Sequence, residues 1–576
     1  MGQFVTFGLV PPWVVNWLTP IWLLSVGITA GLLVLLACWA VVFLLSRIPG
    51  LGTIGEDRRR AQMLAIPVGA VLLIAVLPAM WNSLATNWFF GFLIPAAFVA
   101  WYVAFALLML VWRRSADEIA LGLSEGVLKP ISVVAMCFVA FAVFGAFIVR
   151  EPSSLINSLT RLPETGIREL TREVPVDPRL AQDEFIEPAQ EEVELSFRQS
   201  ELKQLKITSD QRVSLSPQPF DETPTGKTWE LSPDEEFTWN AGDEVLSPFP
   251  DEQIDRLYAM NRGSGPATLS IVADVRPMYP EVATIPVVAI SVVILYLLYF
   301  AQRATMPKLS AIALSTSKSE IAQPLFAILV TIGAVALMLF IWIPYNTLGE
   351  DIKMLKNTGL PLIMVLAIFQ AIWAASTSVA EEIEGRTALT VLSKPVGRRS
   401  FIVGKFVGIS WTVALMFIIL SAVFLIVIAY KPIYDAKESS AESPGWELCH
   451  FEMVRTVPGL ALAFMETIVF AALSVAISTR LPLLANIVVC FSVYVLGHLT
   501  PLLVQTTQEG FEIVKFIAQF IATIVPNLET FNIQAAIAGS VAVPLAYLGW
   551  AFVYCLIFSV IAMMLALFMF EDRDLA

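Results

Sequence analysis

Most of this chain alternates between long, nearly unbroken apolar runs and short polar breaks. Runs of the length of a membrane span lie near 22–45, 61–80, 88–112, 131–149, 284–302, 323–345, 360–379, 401–429, 459–478, 482–500 and 543–570. As a helix, about 20 such residues at about 1.5 Å each cover the roughly 30 Å of a bilayer's hydrocarbon. The pattern therefore predicts about eleven transmembrane helices.

Residues 150–283 break the pattern. Stretches such as VELSFRQSELKQLKITSDQRVSLS, TWELSPDEEFTWN and ATLSIVADVRP alternate apolar and polar positions and are separated by turn-forming residues. That period marks strands. It predicts a small β-sandwich at about 190–277, led in by a Pro-rich, acidic linker at about 160–190. Trp229 and Trp239 are expected in its core, because aromatic side chains on strands usually pack inward. The polar stretch 431–458 reads as a loop. In 501–542, the segment FEIVKFIAQFIATIV carries Glu512 and Lys515 near one face. That suits a helix lying in the membrane interface or dipping back into it, or a short loop helix packed on the bundle.

Composition agrees with the pattern. Apolar residues make up 57% of the 576 and charged residues 15%, against about 25% charged in soluble domains. Mean hydropathy is +0.74. The fold class is a polytopic α-helical membrane protein with a β-sandwich-like extracytoplasmic insert. The insert carries 13 Lys and Arg against 26 Asp and Glu, so it holds the whole formal net charge of −13. Acidity of this kind bears on solubility and partners, and not on fold.

Short-loop cations set the expected topology. Arg47, Arg58, Arg59 and Arg60, then Arg113, Arg114 and Lys129, then Arg303, Lys308 and Lys318, then Arg386, Lys394, Arg398, Arg399 and Lys405 fall on one side when eleven spans are counted. The N-terminus is then outside and the C-terminus cytoplasmic. No Lys or Arg precedes Arg47, so the first span lacks the basic start of a signal peptide and is expected to be retained. Four units are expected: a four-helix membrane module at 1–149, the acidic insert at 150–283, a fifth helix with its linker at 284–307, and a six-helix core at 308–576.

Candidate chemistry is sparse. Cys38, Cys137, Cys490 and Cys555 fall in spans, and Cys449-His450 is a metal half-site without its other ligands. Gly226-Lys227-Thr228 matches the tail of a phosphate-binding loop, but that loop needs a glycine at 221, where this chain has Asp. No cofactor, metal or nucleic acid is expected to bind, and no catalytic set of His, Ser, Asp or Cys is assembled in the spans. An intramembrane enzyme is the least favoured class. Glu466, in LALAFMETIVFAAL, is the clearest ionisable group within a span. A carboxylate there costs about 2.5–3.5 kcal/mol on insertion scales, so it must be protonated, paired or facing water. It lines a translocation path or hydrogen-bonds a neighbouring helix. Gln370 and Asn486 read as hydrogen-bond glue between helices.

One charged strip stands between two apolar runs: EEIEGRTALTVLSKPVGRRSFIVGKF, residues 381–406. Glu382 and Arg386, at i and i+4, support a helix continuing out of the preceding span. Leu389 and Leu392 give it a short apolar face, and Pro395 ends it. Arg398 and Arg399 follow, and Gly404 and Lys405 sit where the next helix enters the membrane. A short amphipathic helix stopped by proline suits docking into a groove on a soluble partner.

The strip resembles a pattern of the ABC-2 type transporter permeases, E-x-x-x-G-T-x-x-x-L-L-S-x-P-V-S-R-x-x-x-x-x-G-K. Here it reads Glu381, Glu382, Glu384, Gly385, Thr387, Leu392, Ser393, Pro395, Val396, Arg398, Gly404 and Lys405. It differs in the added Arg386, in Val391 and in Gly397. The resemblance covers about 308–576, from the amphipathic lead-in KLSAIALSTSKSEIAQPLF through six spans. It implies that the strip is a coupling helix seated on a separate ABC ATPase subunit, with ATP bound there and not on this chain. Glu382, Glu384, Gly385, Arg386, Thr387, Leu392, Lys394, Pro395, Arg398, Arg399, Gly404 and Lys405 would carry the coupling. It further implies a homodimer or a pairing with a sister permease in a prokaryotic inner membrane, and export more than import. A non-transporting ABC-type assembly, in which the insert recruits or regulates a partner, is the alternative.

Overall fold

The computed structural model describes residues 11–48, 51–83, 86–112, 115–176, 190–220, 228–233, 235–241, 253–343, 351–384, 397–506, 512–532 and 543–571. The chain folds into two compact units, Met1–Val149 with Ile285–Ala576, and Arg150–Thr284. Among the described residues, ten helices are long and apolar enough to cross a membrane, and an eleventh span exists if one bent pair is counted as one.

The membrane unit begins with α1 (Pro12–Arg47), α2 (Arg58–Ser83), α3 (Thr86–Leu110), the short α4 (Ser115–Ser124) and α5 (Leu128–Gly145). It resumes with α7 (Thr284–Thr305), α8 (Pro307–Ala322) and α9 (Pro324–Leu339), the last two bent by 64° at Gln323. Pro324 explains the bend, since it has no N–H for the preceding turn. Helix α10 (Asp351–Ala375) continues through a wide π-turn, Ser376–Ala380, into α11 (Glu381–Glu384). Then come α12 (Arg398–Glu438), α13 (Trp446–Ser478), α14 (Leu483–Thr506), α15 (Glu512–Ile524) and α16 (Leu545–Glu571). Helices α10, α12 and α13 are the buried centre, while α2 and α3 pack on each other through Ala61, Ala65, Ala104 and Phe105.

Small residues set the closest approaches, as expected where lipid supplies no hydrophobic drive between helices. A Cβ at Gly408 would lie 2.7 Å from the Ala313 carbonyl, and one at Gly404 2.9 Å from Ile312 Cβ, so α12 lies directly on α8. Gly27 and Gly31 do the same for α1 against Ile285 and Ala289 of α7. Trp22 Nε1 donates to the Ala142 carbonyl at 2.9 Å, and Trp17 Nε1 to that of Ile426 at 3.2 Å. The N-terminal helices thus hold the later ones through both packing and hydrogen bonds. Glu125, beyond α4, pairs with Lys318 of α8 at 2.7 Å, and that hydrogen bond holds its carboxyl below the usual range.

Two expectations need correction here. The stretch 431–458 is not a loop: α12 runs to Glu438 and α13 starts at Trp446. Several of its charges meet partners in place. Lys431 bonds Asp435 one turn on at 2.8 Å, Lys356 of α10 pairs with Glu452, and Lys437 Nζ sits 3.7 Å over the Trp13 ring. Helix α12 has 41 residues, about 60 Å at about 1.5 Å per residue, so its polar end continues as helix past the apolar run. The other correction concerns the expected linker at 160–190, which contains a strand.

In the unit Arg150–Thr284, α6 (Pro152–Arg161) precedes eight strands among the described residues. They are β1 (Gly166–Val174), β2 (Glu191–Arg198), β3 (Leu202–Ser209), β4 (Val213–Ser216), β5 (Trp229–Leu231), β6 (Phe237–Asn240), β7 (Gln253–Asn261) and β8 (Ala267–Val275). They form two four-stranded antiparallel sheets, β1-β8-β3-β6 and β2-β7-β4-β5. Alternate residues of β8, from Ala267 to Val275, are buried. With Leu205, Ile207, Leu257 and Trp239 they make one apolar core, and Trp229 packs at its edge. Strand β1 pairs with β8 from Gly166↔Val275 to Val174↔Ala267. Only Val174 of β1 is buried. An edge strand rich in charge protects a sheet against unwanted pairing, and that charge hides it in the sequence.

Replacing Gly408 with valine should force α12 from α8, because the obstruction is backbone and cannot swing aside. Overpacking of this kind costs about 1–3 kcal/mol. The melting temperature of the purified protein should fall for Gly408→Val. It should stay unchanged for Gly549→Ala, whose new methyl meets nothing within 4 Å.

Candidate functional site

Of the residues singled out on the strip, Gly385, Arg386, Thr387, Leu392, Lys394 and Pro395 lie outside the described residues. Glu384 ends α11. The remainder show how the strip is anchored. Glu382 accepts a hydrogen bond from Lys405 Nζ at 2.6 Å, which ties α11 to α12 across the strip. Lys405 is 5% exposed, and its Nζ also lies 5.5 Å from the Phe401 ring centre. Arg398 and Arg399, at the first turn of α12, are exposed. Arg398 Nη1 donates to the Glu571 carbonyl at the end of α16, at 2.9 Å, and the Phe401 and Phe570 rings stack beside it. Gly404 is a packing residue against α8.

Behind this anchor lies a group of buried polar residues. Glu320 of α8 is 1% exposed. Its Oε1 accepts from Thr377 Oγ1 at 3.2 Å, and Gln323 takes the Trp373 indole N–H at 2.8 Å. Its Oε2 has no partner among the described residues. Thr377 belongs to the π-turn, and so does Ser376. Asn486 Nδ2 stands 2.9 Å from Ser376 Oγ and 2.8 Å from the hydroxyls of Ser474 and Ser478. With two hydrogens it serves two of the three at a time. Asn486 thus binds α14 and α13 to the π-turn of α10. Gln370 lies fully buried in α10, and neither amide atom has a partner among the described residues.

Further along the bundle, Glu466 of α13 is 2% exposed. Its Oε1 is 3.1 Å from His498 Nε2 of α14, and the Tyr494 ring packs on that imidazole with centroids 4.7 Å apart. The pair borders a cavity of about 330 Å³, closed by Leu360, Pro361 and Met364 of α10, with Phe531 and Asn532. Its volume falls in the range of small-ligand pockets, about 300–1,000 Å³. Glu466 therefore has both of the environments weighed for it, a helix-to-helix partner and a cavity. Cys449 and His450 are both buried in α13.

Three participants were not picked out in the sequence. Glu320 sits at i+4 and i+8 from Thr316 and Ile312 on the face of the amphipathic lead-in that becomes buried, so its burial was signalled by spacing. His498 carried a signal as one of only two histidines, but its pairing with Glu466 comes from helix packing. The carbonyl of Glu571 had none.

The fold and these two polar sites define a polytopic membrane protein whose charged strip is locked to three helices of its bundle. A family model described as ABC-2 family transporter protein matches residues 282–575. The chain belongs to that family, and the matched region takes in α7 as well as the helices from α8 onward. It is an ABC transporter permease. A comparison with curated proteins gave no match.

Lys405→Met should lower the melting temperature, because it removes the ion pair that joins α11 to α12. Losing one partner of such a pair is costlier than replacing both, which is often neutral. The double variant Lys405→Met/Glu382→Met should therefore recover much of the loss. A double variant as unstable as the single one would show that the pair does not couple α11 to α12.

Proposed function

We propose that a separate ABC ATPase subunit drives this permease by gripping the segment 385–396 and turning that grip into helix motion. The observation that carries this reading is the ion pair between the buried Lys405 and the half-buried Glu382. It joins the helices on either side of the strip, so a displacement of the strip moves both together. The Arg398–Glu571 bond extends the same displacement to α16.

The π-turn at 376–380 supports the reading. Such turns interrupt the regular hydrogen-bond ladder and recur at functional positions. This one is held by side-chain hydroxyls and one amide, whose bonds can be exchanged between partners. Helix α10 runs from that turn to the walls of the Glu466 cavity at Met364, Pro361 and Leu360. One helix therefore connects the ATPase end to a polar cavity inside the bundle. Glu466 lines the translocation path in this scheme, and His498 holds its carboxyl in place. The permease acts as a homodimer or with a sister permease, sits in a prokaryotic inner membrane with the strip and C-terminus cytoplasmic, and exports its cargo. ATP is hydrolysed on the partner.

Arg399→Glu, Arg398→Glu and deletion of 387–394 should each lower transport-linked ATP hydrolysis by about tenfold, with Arg399→Glu leaving the melting temperature unchanged. A tenfold effect matches the loss of a few charge-assisted contacts. Co-purification and activity of the ATPase unaltered by all three would refute the coupling role. Stimulated hydrolysis without movement of any solute in sealed vesicles would instead indicate a non-transporting assembly. Glu466→Gln should reduce transport while co-purification of the ATPase stays intact, which separates the cavity from the coupling site.

A further inference from the structure

Two adjoining cavities lie where α1, α3, α4, α5 and α7 meet, away from both sites above. The first, about 420 Å³, is walled by side chains such as Leu32, Leu35, Trp39, Leu123, Met136 and Leu297. Its polar groups include the hydroxyls of Ser132 and Tyr296, which bond each other at 2.9 Å. Leu36 and Met136, on its rim, are 63% and 58% exposed, so the slot opens sideways from the bundle.

The second cavity, about 350 Å³, shares Leu110, Ile119 and Phe300 with the first. Its character is opposite. Arg303 of α7, Glu118 of α4 and Glu56 line it, with Trp112 and Ser115. Ser115 is 2% exposed, and its hydroxyl has no hydrogen-bond partner among the described residues. A buried hydroxyl left so costs free energy that a ligand oxygen would recover. Gly122 leaves room for this arrangement, since a Cβ there would lie 3.0 Å from Phe300 and 3.3 Å from Arg303 Nη1.

An apolar slot open at its side and a charged chamber behind a shared neck fit an amphiphile. We propose that these cavities bind one bilayer phospholipid with a phosphoethanolamine head group. An acyl chain enters the slot from the side. The head's phosphate accepts hydrogen bonds from Arg303 and from the Ser115 hydroxyl, and its ammonium donates to Glu56 and Glu118. Among the described lining residues, one guanidinium accompanies two carboxylates, a balance that disfavours a head carrying only negative charge. A trimethylated amine has no hydrogen to donate to the carboxylates. The bound lipid would clamp the N-terminal helices to α7, and this role stands whether or not an ATPase couples to the strip.

The test is native mass spectrometry of the full chain in detergent, titrated separately with phosphatidylethanolamine, phosphatidylcholine and phosphatidylglycerol. One phosphatidylethanolamine per chain should be held about tenfold more tightly than either other lipid, the scale of a charge-assisted head-group contact. Arg303→Gln and Ser115→Ala should each erase that preference, and Ala120→Trp, which fills the slot, should remove the bound lipid. Cys38 lines the slot and is a free, exposed thiol, as is Cys137 elsewhere. In the unaltered protein, phosphatidylethanolamine should slow labelling of Cys38 by an apolar maleimide and leave Cys137 unchanged, a readout that survives any variant's failure to fold. Equal retention of the three lipids with no protection of Cys38 would mean only unselective boundary lipid. Preference for phosphatidylglycerol would overturn the head-group assignment.

Discussion

A lysine inside a helix bundle has to find an anion, and Lys405 finds Glu382. Everything about the strip follows from that requirement. The ammonium is nearly shut off from solvent at the second turn of α12, so α11 must present its carboxylate there. The two ends of segment 385–396 are thereby fixed relative to each other. A flexible connection between spans would dissipate a push from outside, whereas one whose two ends are ion-paired passes it on. The packing of Gly404 and Gly408 holds α12 closely against α8. The same short contacts place Glu320 behind the pair.

The buried polar groups divide into satisfied and unsatisfied sets. Asn486 and the three serines around it have partners to spare, while Gln370 and one oxygen of Glu320 have none among the described residues. Satisfied polar contacts hold helices in register inside a bilayer, at a modest gain for each. Both kinds lie on α10 or against its π-turn, so the buried polarity of the bundle is concentrated along that helix.

The spans were legible because each apolar run had the length that hydrocarbon demands, whereas the 64° bend between the amphipathic lead-in α8 and α9 was not anticipated. The family was legible from the order of Glu382, Pro395, Arg398, Gly404 and Lys405. What polarity meant locally was less visible. Residues 431–438 and 446–458 are charged yet helical, because Lys431, Lys437, Lys356 and Glu452 meet partners that only packing supplies. Strand β1 is charged because it lies at a sheet edge. Glu466 was conspicuous as a lone carboxyl, but whether it had a partner depended on the helix beside it, and His498 sits 32 residues away in sequence.

The chain's charge distribution bears on the same point. Its net charge of −13 resides in the insert, and the membrane unit is balanced. In that balance lysines and carboxylates are spent in pairs: Lys405 with Glu382, Lys356 with Glu452, Lys431 with Asp435, Lys318 with Glu125. Among the described residues, the two interhelical pairs with the most buried lysines, Lys356–Glu452 and Lys405–Glu382, both fasten α10 or its extension α11, at opposite ends, to helices of the core. Between those two pins lie Pro361, Met364 and Gln370, and Leu360, Pro361 and Met364 of that stretch line the cavity beside Glu466.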